Sequence, residues 1–67
     1  MKEKIQELIQ HHTTACNEIT ELINELYGLE GKSDKQEDID ALNQTIERSI
    51  SEKAWRKVFI NQLEDLL

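Results

Sequence analysis

From Ile5 onward, side chains suited to a helix interface return every three or four residues. Ile5, His12, Ile19 and Leu26 share one heptad position, and Leu8, Ala15, Leu22 and Leu29 share the position three residues later. Ile9, Cys16 and Ile23 add a third row and widen the seam into the stripe of a bundle helix. This pattern predicts a helix over about residues 3–29. It stops at Tyr27-Gly28-Leu29-Glu30-Gly31-Lys32, where Gly31, or else Gly28, is able to take the left-handed conformation that closes a helix. Ser33-Asp34-Lys35-Gln36-Glu37 then reads as a new start. Either Ser33 with Gln36 or Asp34 with Glu37 supplies the capping pair, after a loop over about 30–33.

The second helix, over about 34–66, is patterned less regularly. Ile39, Leu42, Ile46 and Ile50 form one stripe, whereas Trp55, Phe59, Leu63 and Leu66 fall on nearly the opposite side at about 100° per residue. Two arrangements reconcile them. One is a break near 49–51, with Ser51 capping a third helix; the other, preferred here because neither Gly nor Pro marks a break, is one continuous helix whose buried face changes along its length. So short a joint favours antiparallel neighbours. Facing residues whose numbers sum to roughly 67 then bring Leu29 to Ile39, Leu22 to Ile46, Leu8 to Phe59 and Ile5 to Leu63. Trp55 arrives beside His12, near the small Ala15 and Cys16. In this register Lys2 and Lys4 come near Glu64 and Asp65, and Arg48 near Glu18 or Glu21.

Composition strengthens the helical reading and limits what the hairpin can be. The chain has 67 residues, no proline and only two glycines. A fold of this size needs support beyond one core, and the single Cys16 provides no intrachain disulfide. Self-association remains. Two helices side by side cover only one face of each other, while the C-terminal end is apolar on several faces. The expected fold is therefore all-α, an antiparallel helical hairpin in a single domain that forms a homodimeric four-helix bundle of coiled-coil type.

Fourteen acidic residues against eight basic ones give a net charge of −6. That charge argues against nucleic-acid and anionic membrane partners. No apolar run has the length of a membrane span, and MKEKIQEL lacks the continuous apolar core of a signal peptide, so the expected location is cytoplasmic.

Candidate chemistry is sparse. His12 and Cys16 stand one helical turn apart and supply two zinc ligands at most, so they are read as a register-setting layer, with no metal or other cofactor expected. A histidine in the seam also suggests pH-dependent stability. Cys16, on the apolar stripe, reads as a small buried hydrophobe and not as a nucleophile. Lys53, Arg56 and Lys57 surround Trp55 and are expected to pair with carboxylates such as Glu52.

Leu42-Asn43-Gln44-Thr45-Ile46-Glu47 resembles, over six residues, the Leu-Ser-Gln-x-Leu-Asp stretch of the small two-helix aspartyl-phosphate phosphatases that act on response regulators in sporulating bacteria. Asn stands for Ser and Glu for Asp. The resemblance implies catalytic-motif positions for Gln44 and Glu47, and it is the alternative to the main expectation. That expectation is a non-catalytic interaction module that docks helix to helix on itself and on another protein, with Trp55, Val58, Phe59, Ile60, Leu63 and Leu66 as anchors.

Overall fold

The computed structural model describes residues 1–67. Helix α1 spans Lys2–Glu30 and helix α2 spans Gln36–Asp65, with no strand. They pack against each other as an antiparallel hairpin 51 Å long. No helix is long and apolar enough to cross a membrane. Helix α2 runs through Ser49, Ile50 and Ser51 without a break. Ser49 is accommodated inside the helix because its Oγ donates to the Thr45 carbonyl one turn back, 2.9 Å away.

The turn differs from the expected chemistry at both ends. Gly31 has φ −65° and ψ −18°, a right-handed conformation, and no glycine has positive φ. Helix α1 ends instead by tightening, as the Lys32 and Ser33 amides donate to the Leu29 and Glu30 carbonyls three residues back. The N-cap position of α2 is Lys35, in extended conformation and with no side-chain cap hydrogen bond. Ser33 and Asp34 lie one or two residues too early to cap it. Ser33 Oγ donates to the Lys35 carbonyl at 3.4 Å, and Gln36 donates to Asp40 instead of reaching back.

The two helices meet along matched rows. On α1 Ile5, Ile9, His12, Cys16, Ile19, Ile23, Leu26 and Glu30, all buried or half-buried, alternate steps of four and three, with Ala15 and Thr20 half-buried on the two edges of this row. On α2 the same alternation runs through Ile39, Leu42, Ile46, Ser49, Lys53, Arg56, Ile60 and Leu63. Each set is one continuous face of a helix. Leu8, Leu22 and Leu29 are therefore not opposite Phe59, Ile46 and Ile39 in the core; they are exposed by 44%, 43% and 54%. The seam uses Ile9, Cys16 and Ile23 in their place. Cys16 Sγ lies 3.9 Å from the Lys53 carbonyl, which sets the register one or two residues further along α2 than the apolar matching implied.

The seams are polar near the middle, where His12, Ser49, Lys53 and Arg56 interrupt them, and apolar on either side, except that the α1 seam ends on the half-buried Glu30. Only seven residues are buried, and no large side chain is fully enclosed. The radius of gyration, 15.4 Å, exceeds the roughly 11 Å of a compact chain of this length. The hairpin is a long two-helix layer without a second layer to close it.

Candidate functional site

Position around each helix decides what the seam leaves outside. Leu8, Ala15, Leu22 and Leu29 sit on one edge of the α1 seam. Because the helices are antiparallel, the edge of α2 on that same side carries Phe59 and Leu66, with Trp55 and Ala41 just beyond. Contacts between the helices agree with this placement. His12 packs its ring 5.0 Å from that of Phe59 and 5.8 Å from that of Trp55, and Trp55 and Phe59 lie 5.9 Å apart. At the loop end, Leu29, Asp38 and Ala41 line a common shallow hollow with Ser33 and Leu42.

The result is one apolar flank running along the hairpin. On α1 it is apolar throughout; on α2 it is apolar towards the C-terminus and gives way to Glu52, Thr45 and Asp38 towards the loop. The other flank carries Thr13, Thr20 and Tyr27 from α1 and Asn43, Ile50, Lys57 and Glu64 from α2, so its apolar residues are isolated. Trp55 and Leu66 are 60% and 69% exposed.

Of the six expected anchors, Trp55, Phe59 and Leu66 belong to this flank. Val58 is exposed on the outer side of α2 and shares a shallow hollow with Trp55, Phe59 and Gln62. Leu63 is buried and Ile60 half-buried in the internal seam, so these two hold the hairpin together and are not available on its surface. Leu8, Leu22 and Leu29 take their place on the flank. Periodicity marked them as seam residues, but it could not say that they lie outside the contact between the two helices.

A polar cluster sits beneath the aromatic part of the flank. Arg56 Nη1 lies 2.8 Å from His12 Nδ1, and Arg56 Nη2 lies 3.1 Å from Glu52 Oε1 in the hairpin's single ion pair. A guanidinium can only donate, so Nδ1 accepts and His12 is neutral with its proton on Nε2. Arg56 also stands over the Trp55 ring, 5.5 Å from its centre. Burial pushes the His12 pKa below its ordinary 6.5, and the positive charge of Arg56 and the neighbouring His11 push the same way. The ion pairs anticipated for Lys2, Lys4 and Arg48 do not form.

Cys16 lies in the seam one turn from His12, but no three His, Cys, Asp or Glu side chains gather at a common point. Gln44 and Glu47 are exposed and line a shallow, open hollow with Arg48 and Ser51 on the outer side of α2. Comparison with protein-family models, with curated proteins and with solved structures gives no match.

Proposed function

We infer that the chain is a non-catalytic interaction module that works as an oligomer by docking helices against its apolar flank. The observation that carries this reading is the contrast between its two flanks. Leu8, Leu22, Leu29, Trp55, Phe59 and Leu66 are gathered on one side, while the side chains that pair the helices face inward. Contiguous apolar surface of this kind costs free energy in water and is retained where a partner covers it. Aromatic residues with exposed faces are common anchors of such interfaces, and Arg56 and His12 hold Trp55 and Phe59 from below.

The test compares the two flanks inside the native host. Chemical cross-linking of the tagged chain is expected to give adducts that Leu22→Asp abolishes and Thr13→Asp retains, with the helical circular dichroism of both variants preserved. Identical adduct patterns for the two variants contradict the reading.

A second reading attaches to the hollow lined by Gln44, Glu47, Arg48 and Ser51. Both residues of the phosphatase-like stretch face solvent there, on a side of α2 that the apolar flank leaves free. It requires that the chain speed loss of phosphate from a phosphorylated response regulator, and that Gln44→Ala or Glu47→Ala stop this without altering oligomeric state. Unchanged lifetimes of such phosphoproteins would remove it.

A further inference from the structure

We propose that the occupant of the apolar flank is a second copy of this chain, seated antiparallel so that α1 packs against the partner's α1 about a two-fold axis at Ala15. This rests on the docking reading above and names the partner. The first argument is area. The hairpin exposes 5283 Å², whereas a compact monomer of its 7.9 kDa mass exposes about 4,400 Å². The excess is close to the roughly 800 Å² that each partner contributes to a stable interface of standard size. One face-to-face contact between two copies removes it.

The second argument is self-complementarity along α1. With Ala15 on the axis, Leu8 meets the partner's Leu22 and Met1 meets the partner's Leu29, so apolar residues face apolar residues over the whole row. The charges beside that row match in the same register. Lys4 comes next to the partner's Glu25, and His11 next to the partner's Glu18. All four are exposed, and none forms an ion pair within its own chain. A closed pair of this type satisfies every contact twice, as isologous symmetry requires. Two hairpins pointing the same way would instead set Leu22 and Leu29 over the partner's Thr45 and Asp38, whereas the antiparallel seating keeps the α1 row apolar throughout and places those polar groups opposite Phe59 and Leu66 of α2. On α2 the axis brings Trp55 near the partner's Trp55 and Glu52, held by its own Arg56, near the partner's Glu52, with Arg48, Thr45, Ala41 and Asp38 beneath the partner's C-terminal end.

Sedimentation equilibrium of the full chain at low salt tests this with Lys4→Glu, Glu25→Lys, the double exchange and Phe59→Asp. The wild-type chain is expected to be a dimer at micromolar concentration. Each single charge reversal is expected to weaken it roughly tenfold, since it turns two symmetric attractions into repulsions, and the double exchange to restore it within about threefold. Phe59→Asp is expected to give a helical monomer. A dimer that the double exchange fails to rescue overturns the antiparallel seating. A wild-type monomer at 100 µM overturns self-association altogether. Should the host cross-links still depend on Leu22, a different protein covers the flank and the docking reading stands without this partner; if they do not, both fall.

Discussion

At the scale of single residues, the seam is defined less by its isoleucines than by one polar contact. His12 accepts from Arg56 in the polar middle of the seam, and this requires an uncharged imidazole. Its lowered pKa means that, between that value and 6.5, the unfolded chain binds a proton that the folded chain refuses. Stability is therefore complete above 6.5 and declines as pH falls through this window. Thermal midpoints at fixed concentration should fall from pH 8 to pH 5, and His12→Gln should flatten that slope; equal slopes for the two proteins would exclude His12 as the titrating group. Arg56→Ala removes the donor to His12, the partner of Glu52 and the stem that covers the seam. Urea unfolding is expected to show a loss of about 1–3 kcal/mol, with an unchanged midpoint speaking against the cluster. His12 was visible in the sequence as a seam residue because it keeps heptad spacing with Ile5 and Ile19. Its partner was not, because arginine has no place in an apolar period. The alternating steps of α2 become apparent only when Ser49, Lys53 and Arg56 are counted as interior.

At the scale of helices and their turn, glycine chemistry separates expectation from outcome. A left-handed Gly31 would make alanine costly there, whereas its observed φ of −65° suits any residue, and a Cβ would meet only carbonyl oxygens at 3.7 Å. Gly28 is inside α1, and a Cβ on it finds open space. Gly28→Ala and Gly31→Ala are each expected to stabilise the hairpin by about 0.4–1 kcal/mol in urea titrations, and destabilisation by Gly31→Ala would restore the left-handed closure. Inside the seam the direction reverses. Ile46, 3% exposed, is the most enclosed side chain, and Ile46→Ala should cost about 2–5 kcal/mol. Both helices and their antiparallel pairing were legible from periodicity and from the brevity of the joint. Capping was not, because Ser33 and Asp34 are the better local caps, yet α2 starts after Lys35, which gives it no side-chain cap.

The whole molecule is a layer 51 Å long that encloses few of its residues. If a second copy closes that layer, its melting temperature must depend on protein concentration, because dimerisation adds mass-action stability to the folded state. Scans at 5 and 200 µM should differ by several degrees for the wild type and coincide for Phe59→Asp; coincidence for both would mean that the hairpin is stable alone. Residue order by itself determined that the chain forms two helices, where they are divided, that they run antiparallel, and that more apolar surface exists than two helices can hide. These properties follow from local propensity and from spacing at 3.6 residues per turn, which need no knowledge of neighbours. Tertiary packing alone decided which apolar row faces inward. Two rows flank Ile5, His12, Ile19 and Leu26 at similar angles, and either can join them at the contact. The choice of Ile9, Cys16 and Ile23 over Leu8, Ala15, Leu22 and Leu29 depends on how α2 turns its own face, with Arg56 reaching His12, and turning α2 that way is what leaves Trp55, Phe59 and the leucines on one open side.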